Sequence, residues 1–249
     1  MDKWIEIADG FWNVRGSFKV AGLFDVGTQT SLVRLKRGDF VLLDSYPLTG
    51  DVAREVMART DNGKAVRAIL NLHPFHTKHV RAVAEQFPHA ELYGTRRHKQ
   101  LEPGLRWAAP HTEDHAAHAL FADDLRFSVP RGVEFAPQPE LSHFASVLAL
   151  HEATRTLHVD DTLSWSKLPL FGGLKFHPTL RFALEKRPGA ASEFRAWAEE
   201  LIELTRGVDH LCTAHMRELP TPNGQLTDQV RTALADLDKL LANHARRHG

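Results

Sequence analysis

The sequence predicts a layered α/β fold in which two sheets pack between helix layers. Three observations carry this. The first half opens on short apolar or alternating runs joined by a turn, then alternates strand, helix and strand. The second half repeats that β-then-α order loosely, with strand runs from residue 120 followed by amphipathic helices. No linker, low-complexity tract or internal repeat divides the 249 residues, a length routine for one α/β domain. A single domain is therefore expected over 1–249, closed by a C-terminal helix at about 225–246.

Thr30–Leu35 and Phe40–Asp44 are strand runs joined by Lys36-Arg37-Gly38-Asp39, a hairpin signal. Asp44 closes the second run with a charge where the chain should be buried. Thr49-Gly50-Asp51 reads as a helix start, with Val52, Val56 and Met57 at helical spacing. The strand that follows ends near Leu72 and delivers Asn71-Leu72-His73-Pro74-Phe75-His76-Thr77-Lys78-His79-Val80. Pro74 disfavours helical geometry at His73, which is left as the last extended residue or the first of a loop. Val80, Val83, Ala84 and Phe87 then mark one face of a helix, and Ala90–Gly94 another strand. Strand, helix, strand favours parallel pairing.

Residues 95–119, rich in His, Pro and Trp, read as irregular. His111, His115 and His118 share a helical face there, which without a fourth ligand is a solvated face. Strand signals return at Leu125–Val129, Val133–Ala136, Ser146–Leu150 and Thr156–Val159. A loop with Trp165, Phe171, Gly172 and Gly173 follows. Phe194, Trp197, Ala198, Leu201 and Ile202 make an amphipathic helix between Ser192 and Gly207. His210–His215 reads as a last buried strand, and Leu226, Val230, Leu234, Leu237 and Leu241 as the C-terminal helix.

Composition narrows the function. At 43% hydrophobic and 25% charged the chain can bury a sizeable core. Lys+Arg and Asp+Glu are both 31, so nothing points to nucleic acid or to an anionic membrane. Neither a signal peptide nor a bilayer-spanning run is evident, and a cytoplasmic protein is expected. One cysteine, Cys212, excludes a disulfide framework and a multi-thiolate zinc site. Histidine is the outlier at 16 residues. Three of them, His73, His76 and His79, fall within seven positions at a strand end, and converging neutral imidazoles are the commonest transition-metal ligands. Lys78 sits inside that knot, where an ammonium would repel a cation.

Four features then follow one another at strand ends: the cluster at 73–79, His143 in Leu-Ser-His-Phe-Ala-Ser-Val, Asp161 in His-Val-Asp-Asp-Thr-Leu, and His215 in Cys-Thr-Ala-His. In this the chain resembles the metallo-β-lactamase fold superfamily over roughly residues 10–217. That family is a four-layer αββα sandwich with its metals in a groove at one sheet edge. Its pattern is HxHxDH after a strand, a lone histidine, a Gly-Asp-Thr-Leu turn with a bridging aspartate, and a late histidine. Here His79 matches the last histidine of the motif and His76 the second. Pro74 stands at the place of the first, with His73 one residue early, and Lys78 at the place of the aspartate. Asp160 replaces the glycine before Asp161, and Ala214 precedes the late histidine. Asp44 matches the family's buried aspartate that supports the site loop.

The resemblance implies a first metal held by His76, His143 and His73 with Asp161, and a second held by His79, Asp161 and His215. Zinc is the first expectation, one or two ions, with manganese or iron as alternatives. A metal-bound hydroxide would attack a small ester, lactone, amide, thioester or phosphoester, with Asp161 and Lys78 as the catalytic candidates. Lys78 pointing inward would stand in for the second cation, or act as an acid or anion clamp; pointing outward it would leave two metals room. The expected partner is a small-molecule substrate, with no nucleic acid and no membrane; oligomeric state is left open. Two other readings stay open: a metal-depleted binding module on the same scaffold, and a mononuclear iron enzyme of the sulfur-dioxygenase kind.

Overall fold

The computed structural model describes residues 2–20, 24–137, 142–166, 172–215 and 225–249. β1 (Lys3–Ala8), β2 (Phe11–Gly16), β5 (Thr28–Arg34), β6 (Phe40–Leu43), β7 (Val66–Leu70) and β8 (Glu91–Tyr93) form the first sheet in that order. A short ribbon of β3 (Lys19–Val20) and β4 (Phe24–Asp25) interrupts the sequence between β2 and β5. The pairings are antiparallel from β1 to β6 and parallel from β6 to β8. The parallel pairs need crossovers, supplied by α1 (Gly50–Arg59) and α2 (Val80–Gln86). The second sheet runs β14 (His210–Cys212), β11 (Thr156–His158), β10 (Leu148–His151), β9 (Leu125–Ser128), with only β11–β14 parallel. Its crossover carries α5 (Leu180–Ala183) and α6 (Ala190–Leu204).

Alternation along the strands sorts the apolar side chains into three layers. Leu32, Leu42 and Ile69 face out to Val52 and Val56 of α1 and Val80 and Val83 of α2. Their neighbours Val33, Val41, Leu43, Ala68 and Leu70 face in, against Val147, Ala149 and Cys212 of the second sheet. Leu148, Leu150 and Leu157 face the other way, onto Phe194, Trp197 and Leu201 of α6. A strand buried on both faces reads as a continuous apolar run, which is why Phe40–Leu43 lacks alternation in sequence. The result is the αββα order of layers.

Four local expectations need correction. Val133–Ala136 is no strand; Pro130 lacks a donor and Gly132 takes φ +69°, so only Val133 makes a bridge, to Leu184. Residues 95–119 are not wholly irregular. Thr95 caps α3 (Arg96–Leu101) by accepting the His98 amide, and the His98 ring accepts the Thr95 amide in return. α4 (His115–Ala119) follows, and its His118 stacks on Phe127 instead of joining a ligand set. The stretch after Thr162 is a hairpin, β12 (Leu163–Ser166) on β13 (Gly173–Phe176), whose Phe176 packs on Phe194; Phe171 lies outside the described residues. The C-terminal helix is two, α7 (Leu226–Ala235) and α8 (Asp238–His248), with the apolar stripe kept in phase across the break. Among the described residues no helix is long and apolar enough to cross a membrane.

Candidate metal centre

The chemistry gathers at the carboxyl ends of the parallel strands β6, β7, β11 and β14, where loops leave the sheets together. Asp44 is the anchor. Its Oδ1 accepts the Leu72 amide at 2.8 Å and its Oδ2 accepts His158 Nε2 at 2.9 Å, tying the end of β7 to β11 across the two sheets. Thr162 performs the matching task opposite. Its hydroxyl donates to the Phe144 carbonyl at 3.0 Å and accepts the Ser146 amide at 3.1 Å, pinning the His143 segment to the Asp161 turn.

The turn at Pro74 brings the early histidine inward. The His76 amide donates to the His73 carbonyl at 3.1 Å, and the Phe75 amide to His73 Nδ1 at 3.1 Å. The His73 and His76 rings consequently stack with centroids 4.1 Å apart. With Nδ1 accepting, Nε2 of His73 carries the ring proton and faces the His143 carbonyl at 3.2 Å and Asp161 Oδ2 at 3.3 Å. His76 Nε2 lies 3.7 Å from the same oxygen. On the other side, His215 Nε2 lies 3.0 Å from Asp161 Oδ1, while its Nδ1 donates to the Gly27 carbonyl at 3.0 Å. That second bond fixes the tautomer whose Nε2 lone pair faces the aspartate once the ring is neutral.

The electrostatics follow from burial and neighbours. Burial pushes the Asp161 carboxyl up, but His73, His215 and His76 outweigh it and hold it well below the usual carboxylate range. Burial drives His73 down to about 3, so that ring is neutral. His215 moves up, because its bond to Asp161 outweighs burial. Burial, then Asp44 and Asp161, push Asp160 well above the carboxylate range.

His73, His76 and Asp161 offer one ligand atom each within 4.8 Å of one another, and His215 shares Asp161 with them. This donor set of imidazoles and one ionised carboxylate fits a divalent transition metal. His143 stands beside the group, its ring 6.1 Å from that of His73 and 4.7 Å from Phe75. His79 does not join it; its ring meets Tyr46 edge-on at 5.6 Å. Lys78 is exposed, with Nζ 5.3 Å from the centre of the Phe18 ring. Phe18, Phe75, Lys78 and His79 line one pocket together with His76, His215 and the buried Gln29 and Asp44. Cys212 is buried in β14 with its thiol pushed up to about 12 by burial, so it is no nucleophile.

Sequence reasoning left two participants unassigned. Asp160 and His158 form, with Asp44, a second buried group with ligand atoms within 4.8 Å of one another, and Asp160 Oδ1 lies 3.7 Å from His76 Nδ1 of the first. The Asp160-Asp161 doublet was the visible signal. Nothing in sequence could pair either with Asp44.

No protein-family model matches the sequence, and no curated protein matches it. Solved structures do. The chain is similar to DIM-1 metallo-β-lactamase exposed to ceftazidime, with 11% identity and a TM-score of 0.63 over 95% of this chain and 98% of that one. It is similar to a metallo-β-lactamase from Erythrobacter litoralis with β-mercaptoethanol in the active site, at 12% identity and TM-score 0.61, covering 95% and 97%. The mono-zinc form of FIM-1 from Pseudomonas aeruginosa gives 11% identity and TM-score 0.61, covering 94% and 95%. At such identities the likeness is one of fold: the chain has the metallo-β-lactamase fold.

Proposed function

We propose that this chain is a metal-dependent hydrolase with one tight metal site, built from His73, His76, Asp161 and His215, with His143 on its open side. The observation that carries the reading is the convergence of His73, His76 and His215 nitrogens on the two oxygens of one buried carboxylate. A divalent ion held there would supply a water of lowered pKa and polarise the electrophile, with zinc the first expectation and manganese or iron next. To receive it through Nε2, the neutral His73 ring would have to carry its proton on Nδ1 and release the Phe75 amide, and His215 would lose the proton it shares with Asp161. Asp161 supplies the negative charge that balances the cation, and the Gly27 carbonyl keeps His215 aimed. Among the described residues His79 meets Tyr46 and Lys78 stands over Phe18, so the reading keeps to one ion beside Asp161.

The substrate is a small ester, lactone, amide, thioester or phosphoester entering between Phe18 and Phe75. Lys78 meets no carboxylate among the described residues and is free to anchor an acidic group at the rim. In Lys78→Ala the metal content is expected to stay constant. KM for an ester bearing a carboxylate should rise about tenfold, worth about 1.4 kcal/mol, with a neutral ester of the same alcohol unaffected. Equal KM values for the acidic ester in both proteins would remove Lys78 from substrate binding.

Metal analysis with a chromogenic ester panel tests the reading as a whole. One zinc or manganese per chain with turnover supports it. Bound iron without hydrolysis favours the oxygenase reading, which one compact site also suits. No metal, even after incubation with excess, favours the binding module.

A further inference from the structure

His76 stands between two carboxylates. Its Nε2 lies 3.7 Å from Asp161 Oδ2 and its Nδ1 3.7 Å from Asp160 Oδ1. A neutral imidazole has one lone pair and one N–H, so it ligates through one nitrogen and must place a proton on the other. Asp160 is 1% exposed, and neither of its oxygens receives a hydrogen bond of normal geometry. The groups around it also have other partners. Asp44 is held by Leu72 and His158, and the His158 Nδ1 meets the Ser31 hydroxyl at 3.0 Å. Arg15, the buried cation nearest in effect to Asp160, donates to the Thr213 carbonyl. Asp160 is thus a buried carboxyl that faces Asp44 and Gln29 on one side and the edge of His76 on another.

We infer that Asp160 is a positioning residue that accepts the Nδ1–H of His76 and so aims the Nε2 lone pair at the metal site beside Asp161. The inference rests on the metal reading above. A ligating histidine almost always gives its other N–H to a carboxylate, a carbonyl or water. Neither protonation state of Asp160 removes an acceptor oxygen. The separation of 3.7 Å is longer than a hydrogen bond, so the bond forms when the partly exposed His76 ring moves closer. The glycine of the resembling pattern could offer no side chain here. Where Lys78 has removed one carboxylate from the rim, Asp160 adds one from beneath.

Two measurements on the full chain test this. In zinc-loaded protein carrying 15N-histidine, long-range proton–nitrogen NMR should show His76 with its proton on Nδ1. Zinc affinity, by competition with a chromophoric chelator, should fall about 10–100-fold in Asp160→Ala at unchanged stoichiometry. Asp160→Asn, which keeps an acceptor oxygen, should recover most of that loss. A proton on Nε2 of His76 overturns the inference, and so does wild-type affinity in Asp160→Ala. Loss of a whole metal equivalent in that variant also overturns it, because Asp160 would then be a ligand of a second ion with Asp44 and His158. A wild-type chain that takes up no zinc overturns the metal reading itself, and is seen before any variant is made. The NMR measurement needs no variant and stands if Asp160→Ala does not fold.

Discussion

Asp161→Ala is expected to abolish tight metal uptake and, with it, hydrolysis. Asp161 is the residue on which the other donors converge, with His73 and His76 on one oxygen and His215 on the other. Without it the rings lose their common target. The same ion pair sets the pH course. His215 is raised above its ordinary value by Asp161, so in the metal-free chain it holds its proton to higher pH. A metal must displace that proton, and apparent affinity should therefore weaken as pH falls through the neutral range. Calorimetric zinc titration of both proteins at several pH values checks this. Wild-type affinity in Asp161→Ala would dismantle the proposed site.

Asp44→Ala is expected to cost the largest share of stability of any single polar change, about 3–5 kcal/mol. Removing the carboxylate leaves a buried Leu72 amide and the Nε2 of a buried His158 without this acceptor, where it ties the two sheets together. Burial raises the Asp44 carboxyl, yet His158 outweighs it and holds it below the usual range. The sign is that of a depressed acid: its contribution is present above about pH 4 and lost as pH falls further. Asp44 also has φ +62°, a left-handed conformation that asparagine tolerates and alanine does not favour. Asp44→Asn should accordingly lose less. Urea unfolding at neutral pH decides it: a midpoint shift in Asp44→Ala worth under about 1 kcal/mol would contradict the anchoring role.

Much of the fold was legible because long-period signals survive in one sequence. The hairpin at 30–44, the strand–helix–strand unit at 66–93 and the helix about Trp197 rest on apolar runs or spacing that packing then used. What escaped was short or decided elsewhere in the chain. α3 is six residues set by a Thr95–His98 cap, too brief for periodicity to show. The β12–β13 hairpin is sealed by Phe176 against Phe194, which no local pattern announces.

The site shows the same division. The order of His76, His143, Asp161 and His215 at loop ends could be read directly. The entry of His73 could not, since it depends on two amide bonds that fold the chain round Pro74. Nor could the orientation of Lys78, whose ammonium lies over Phe18 from the loop after β2, or the burial of Asp160 beside Asp44.

Metal content of the purified chain, measured by mass spectrometry after dialysis against trace-metal-free buffer and reloading with zinc, bears most directly on the central claim. One equivalent retained in the wild type and lost in Asp161→Ala is the predicted result. No retained metal in the wild type, or one equivalent kept by Asp161→Ala, would contradict it.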